Sequence, residues 1–189
     1  MRRRVNAMTS DLSTTAARYF ERYGYPQWLC DHSRIVGSIA EFLVASRTAA
    51  GDRLDADTVV LAAYLHDIGR SPLVSGDPRE HNELSALILA AEGLHACAEL
   101  ARRHPIYAVL DPGTTPRTME EKIVFIADRR GGMAVQSIAE RAADTAGRHP
   151  KYADAIARAI PIAHGIEREV FAGLPLLPAE LAAHVGAPR

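Results

Sequence analysis

The most constraining feature of this chain is a seven-residue run, Val59-Val60-Leu61-Ala62-Ala63-Tyr64-Leu65, apolar throughout and ending directly on His66-Asp67. Asp55 and Asp57 ahead of it suit a helix start, and Gly69 beyond it suits a helix end. A helix without a polar face has to be enclosed by other elements. The run is far too short to cross a bilayer, so the rest of the chain must enclose it. Strand signals are scarce, whereas helical spacing and helix punctuation recur, and the expected fold class is all-α: a compact multi-helix bundle.

The surrounding helices can be placed from the same signals. One is expected from about Asp11 to Tyr23, capped by Ser10 and ended by Gly24. A second starts near Pro26 and stops before Gly51, with Ile35, Val36, Ile39, Phe42 and Leu43 forming one buried stripe. Two more run from about His81 to Glu92 and from about Leu94 to His104, separated by Gly93. A loop rich in Pro, Gly and Thr follows, from Pro105 to Arg117. Thr118 with Glu121, and Ser137 with Glu140, have capping-box spacing and start two further helices. Beyond about residue 150 the chain is Ala-rich and helical, with Pro150, Pro161 and Pro175 read as interruptions.

A length of 189 residues fits one domain. Residues 1–9, with Arg2-Arg3-Arg4, are expected to form a disordered basic tail, and 10–189 a single domain with a helical C-terminal extension from about 150. That extension suits completing the core, closing a pocket or making a homo-oligomer equally well. Lys and Arg number 22 against 23 Asp and Glu, a balance that supplies no field for nucleic acid or a membrane surface. No apolar stretch follows the basic start, so no secretory signal is expected. Cys30 and Cys97 form neither a disulfide framework nor a CxxC pair and are read as small buried thiols, giving a cytoplasmic, reducing setting as the expectation.

Several polar residues fall against the apolar pattern. His32 precedes Ile35, Val36 and Ile39 by three, four and seven, which puts it on their buried face. His66 and Asp67 end the apolar run, and Asp128 directly follows Ile123-Val124-Phe125-Ile126-Ala127. His81 shares a face with Leu84, Ile88 and Ala91, and His104 with Leu94, Cys97 and Ala101. An unpaired buried carboxylate is costly and needs a cation. A structural ion-pair network using Arg70, Arg129 or Arg130 is one answer. Four histidines converging with two aspartates favour a metal, and this mixture of nitrogen and hard oxygen donors suits Mn, Fe, Co, Ni or Zn better than Ca.

His66-Asp67-Ile68-Gly69, followed by Arg70, resembles the HDIG signature of the HD superfamily of metal-dependent phosphohydrolases. An upstream His32 and a downstream Ala127-Asp128 complete the pattern in the expected order over about residues 25 to 150. Glu121–Asp128 and Glu140-Arg141 are similar to small bacterial HD hydrolases related to the symmetrical diadenosine tetraphosphatases. The resemblance implies an HD-domain bundle with a metal site at its centre. It implies that His32, His66, Asp67 and Asp128 bind one divalent ion, and that His81 and His104 hold a second, bridged by Asp67. His66, Asp67 and Arg70 are then the catalytic residues, and an activated water attacks a phosphoester or phosphoanhydride of a nucleotide or similar small molecule. Arg70 and Arg129 are the candidates for gripping substrate phosphate, with Arg103, Arg117 and Arg130 weaker ones.

The chain departs from the tetraphosphatases after His104, where Pro105-Ile106-Tyr107 stand and Thr114-Thr115 come later. The Pro105–Arg117 loop is a candidate substrate lid. His95, His149, His164 and His184 have no partner logic and are read as surface or helix-end residues. Two alternatives remain open: a mixed-valent di-iron oxygenase of HD type, and a catalytically silent HD module that senses a nucleotide.

Overall fold

The apolar run folds into the enclosed central helix the sequence demands. In the computed structural model, which describes residues 2–185 and the side chains of residues 11–185, it forms α3 (Ala56–Leu65). Asp55 caps this helix, its carboxylate accepting the Thr58 amide. Every residue from Val59 to Leu65 is buried. The wall around it comes from α1 (Arg2–Arg22), α2 (Gln27–Ala49), α5 (His95–Arg102) and α6 (Met119–Arg130). α1 starts at Arg2 and not near Asp11, so Ser10 lies within it and is not its cap; the side chains of residues 1–10, the expected basic tail among them, lie outside those described. No strand occurs among the described residues, only an isolated bridge between Gly131 and Val135. No described helix is long and apolar enough to cross a membrane.

Both capping boxes are present. Thr118 and Glu121 close the start of α6, and Ser137 and Glu140 the start of α7 (Ile138–Arg148). α4 (His81–Ala91) ends at Gly93, whose φ of +80° is the left-handed turn that leads into α5. Gly69 does something other than end α3, which stops at Leu65. It sits in a 3-10 turn, Ile68–Arg70, where an added Cβ would lie 2.2 Å from the His81 carbonyl oxygen and 2.7 Å from the Ser85 amide nitrogen. Only glycine lets this turn approach α4 so closely, and its amide donates to Ser85 Oγ at 2.9 Å.

The extension beyond residue 150 completes the core. α8 (Ala153–Phe171) packs on α6, α7 and the 3-10 turn Ile106–Leu110, burying Ile156, Ala159, Ala163 and Val170. Pro161 lies inside α8 and does not interrupt it; packing on both sides outweighs one lost backbone donor. A short α9 (Leu181–His184) follows. Arg130 ties this extension to α6: its guanidinium bonds Glu167 on α8 at 2.5 Å and the Pro178 carbonyl at 2.8 Å. Cys97 is buried as expected, whereas Cys30 is only half-buried, and both are free thiols.

Candidate metal centre

Each of the six polar residues singled out above is delivered to one place by a different stretch of chain. His32 comes from the middle of α2, His66 and Asp67 from the end of α3, and His81 from the first turn of α4. His104 lies just past α5 and Asp128 in the last turn of α6. His32, His66, Asp67, His104 and Asp128 are buried, and His81 is half-buried.

The donors form two clusters that share one carboxylate. In the first, His32 Nε2 lies 3.2 Å from His66 Nε2 and 3.4 Å from Asp128 Oδ1. Asp67 Oδ2 stands 3.7 Å from both imidazole nitrogens. In the second, Asp67 turns its other oxygen, Oδ1, to His104 Nε2 at 3.3 Å and His81 Nε2 at 3.5 Å, and these two nitrogens are 3.1 Å apart. An ion with donors about 2.1 Å away places neighbouring donors ~3.0 Å apart at right angles and ~3.4 Å apart at tetrahedral ones. The second cluster, at 3.1–3.5 Å, lies close to that spacing, and the first, at 3.2–3.7 Å, is slightly wider.

Proton positions point the same way. His66 Nδ1 lies 2.7 Å from the Ala63 carbonyl oxygen, and His104 Nδ1 lies 2.6 Å from that of Ala101. A carbonyl only accepts, so each Nδ1 carries the proton and each Nε2 presents a lone pair. Arg70 Nη2, which only donates, stands 3.0 Å from His81 Nε2 and makes that nitrogen an acceptor too. The contact between His81 and His104 is therefore acceptor against acceptor. Asp67 Oδ1 is also buried without a well-directed hydrogen bond, although Arg70 Nε stands 2.9 Å away. A hydrogen-bond network does not satisfy this arrangement; a divalent cation does.

Charge is distributed accordingly. Burial pushes the carboxyl of Asp67 up, but Arg70 and the surrounding imidazoles outweigh it and hold its pKa well below the usual range. Asp128 is likewise pushed up by burial and pulled well below by Arg129, His32, His66 and Arg141. Burial lowers His66 to about 4 and drives His81 well below its ordinary value. Arg70 and Arg129 are two of the three ion-pair partners that the sequence left open, the third, Arg130, pairing with Glu167 instead; both stand outside the clusters and leave the facing lone pairs unexplained.

The sign of the pH dependence follows from His66. Unfolded, it protonates near 6.5; folded, near 4, so the unfolded chain binds the extra proton between those values. Above about pH 6.5 this histidine costs nothing, and as pH falls toward 4 it withdraws up to roughly 3 kcal/mol of stability from the metal-free chain. Urea unfolding of chelator-treated protein at pH 7, 5.5 and 4.5 should show that decline. A flat profile would mean that His66 protonates freely in the fold.

The clusters form the floor of an open cavity of about 700 Å³. Arg70, Arg129, Arg141, Arg148 and Lys151 give it a basic wall, and Trp28 and Met133 an exposed apolar lip. Arg70 pairs with Asp67, and Arg129 is buried against Asp128 and over the Phe125 ring. Arg130, Arg103 and Arg117 stand elsewhere: Arg130 is taken up by Glu167, Arg103 by Glu121, and Arg117 by the Pro112 carbonyl. The Pro105–Arg117 loop contributes a packed wall, since Ile106, Ala108 and Val109 are buried beneath α8.

His95 and His184 are exposed, and His164 is half-buried beside Glu167, as surface or helix-end residues should be. His149 caps the end of α7 and is exposed, but it also faces the cavity. Sequence reasoning gave no site role to Arg141 or Tyr107, which figured only in the family resemblance, and passed over Tyr152, yet all three line the cavity. Tyr107 and Tyr152 stack with centroids 5.6 Å apart in the cavity wall. Arg141 lies three residues after the start of α7 at Ile138, across a non-helical turn from Asp128, and its one signal in the sequence is the Glu140-Arg141 pair that helps carry the resemblance.

Neither the comparison with curated proteins nor that with solved structures finds a significant match. The family comparison matches residues 29–133 to the HD domain, a span that opens just before His32, closes just after Asp128 and contains all six donors. The all-helical fold, the buried His/Asp clusters and this match agree: the chain belongs to the HD domain family.

Proposed function

We propose that the protein is a metal-dependent phosphohydrolase that cleaves a phosphoester or phosphoanhydride of a small molecule, nucleotides among them. The observation that carries this reading is the divided carboxylate of Asp67, with Oδ2 toward His32 and His66 and Oδ1 toward His81 and His104. His32, His66, Asp67 and Asp128 would hold one divalent ion, and Asp67, His81 and His104 a second, drawn from Mn, Fe, Co, Ni and Zn. Bound there, such ions supply Lewis acidity, activating water and neutralising charge on phosphoryl oxygens.

The chain's own residues do the rest. The Nδ1–H bonds of His66 and His104 hold both rings with their lone pairs inward. Arg70 and Arg129 flank the two carboxylates and point into the cavity, where a guanidinium can grip a phosphate through two N–H groups. Asp67 keeps its charge at neutral pH because Arg70 and the surrounding imidazoles together outweigh the cost of burial.

The test is metal content by elemental mass spectrometry on untagged protein equilibrated anaerobically with Mn²⁺ or Fe²⁺, followed by a phosphate-release screen. About two ions per chain and release from nucleotides, dinucleoside polyphosphates or sugar phosphates are the expected results. A chain that takes up no metal would sink the hydrolase reading and leave a nucleotide-sensing module. Oxygen uptake by the iron-loaded protein, without phosphate release, would move the assignment to the oxygenase.

A further inference from the structure

The wall of the cavity contributed by α6, α7 and the turn after it is not electrically balanced. Arg129, Arg141, Arg148 and Lys151 face it against only Asp128 and Asp144. The remaining cavity carboxylate outside the donor clusters, Glu80, accepts the Tyr152 hydroxyl at 3.1 Å.

Within this wall the charges alternate along a line. Arg141 Nη2 lies 3.6 Å from Asp128 Oδ1, at the edge of the donor cluster. Its other terminal nitrogen, Nη1, lies 3.2 Å from Thr145 Oγ1 and 3.5 Å from Asp144 Oδ2. The same Asp144 oxygen takes Arg148 Nη2 at 2.7 Å. Side-chain exposure rises along the line, from 4% at Asp128 and 12% at Arg141 to 45% at Asp144 and 52% at Arg148. The line runs from the floor of the site to its mouth.

Arg141 is held there at a cost. Burial lowers its pKa, and its Nε is buried with no hydrogen-bond partner, as is that of Arg129. A desolvated guanidinium donor left unpaired is unfavourable unless something that enters the cavity accepts from it. Asp144 meets part of the demand, but its contact with Arg141 is long and its carboxylate stays half in water. It occupies the position of an acceptor that a tighter, more highly charged anion can take.

We propose that Arg141 and Arg148 form an anion subsite beside the donor clusters, one that takes the second phosphoryl group of a phosphoanhydride substrate and displaces Asp144 as it binds. The inference rests on the hydrolase reading for its substrate but not for the existence of the subsite. It makes the protein selective for anhydrides over monoesters, because a monoester has no second phosphoryl group to place on Arg141.

The test is calorimetric titration of the full-length, chelator-treated chain with inorganic pyrophosphate, with orthophosphate as the reference, so that no bound ion competes for the anion. Charge-assisted hydrogen bonds are worth about 1.5–3 kcal/mol, so Arg141→Met should weaken pyrophosphate binding by roughly 10- to 100-fold. Arg148→Ala, on an exposed side chain, should weaken it by about 5-fold. Asp144→Asn removes the internal competitor and should tighten it, a change of sign that loss of folding cannot imitate. In the metal-loaded enzyme, Arg148→Ala should raise KM for anhydride substrates and leave KM for monoesters unchanged. Pyrophosphate binding that is unaltered in Arg148→Ala and Asp144→Asn overturns the subsite, even if the enzyme hydrolyses phosphates. The three expected shifts in a chain that releases no phosphate would support the subsite and retire the hydrolase reading alone.

Discussion

Asp67→Ala is expected to abolish metal retention at both clusters and to lower hydrolysis by about 1000-fold or more. The reason is the division of one side chain between two sites: Oδ2 serves His32 and His66, and Oδ1 serves His81 and His104. Losing several kcal/mol of charge stabilisation on the phosphoryl group corresponds to at least three powers of ten in rate. The fold should survive. Arg70, the cation that Asp67 leaves behind, has about a third of its side chain in water and can rehydrate. His81→Ala is the informative companion, since it touches only the second cluster and should leave one ion bound. Elemental analysis and phosphate release on the two variants, each checked by circular dichroism, test the assignment. Full turnover by Asp67→Ala would refute it.

The second large effect concerns stability. Arg130→Ala should destabilise the chain by about 3–5 kcal/mol, the range for breaking a buried ion pair and stranding its partner. Glu167 would lose its buried arginine partner, with both side chains under a tenth exposed. The Pro178 and Gln136 carbonyls would lose their donor in the same stroke, loosening the C-terminal extension from α6. Arg129→Ala, one residue away, strands the buried Asp128 in the metal-free chain in the same way, but should also weaken substrate binding, because Arg129 faces the cavity. Urea unfolding together with substrate titration of both variants separates the roles, since only Arg129 lines the cavity. A loss below about 1 kcal/mol in Arg130→Ala would show that water or a neighbouring group takes over the pair.

That contrast also shows where the sequence stops informing. Arg129 and Arg130 stand side by side after the same apolar run, and nothing in their types separates a cavity residue from a structural one. Adjacent helical residues point about 100° apart, and only the packing of α8 determines which of the two meets Glu167. The donors were legible for the opposite reason. Each is a polar residue at the end or on the inner face of an apolar segment, and burial of that segment leaves it no other place to go. α3 was legible because seven apolar residues in a row admit no solvent face. Arg141, Tyr107 and Tyr152 were not, because they reach the cavity from a polar helix face and from turns that carry no periodicity. Pro161 misled because backbone propensity is read locally, while α8 is held by contacts with α6 and α7. Gly69 misled because close approach to α4 and a helix stop call for the same residue.

The carbonyls of Ala63 and Ala101 have a consequence for how such a site ages under mutation. Orienting groups around metal ligands are commonly side chains, each a target at which a single codon change can tilt a ligand. Here two of the four rings are aimed by peptide oxygens at helix ends, which every amino acid carries. Substitution at either alanine changes packing but leaves the oxygen in place. A saturation scan of this chain should therefore show that changes at Ala63 and Ala101, both fully buried, cost stability through overpacking and leave the orientation of His66 and His104 intact.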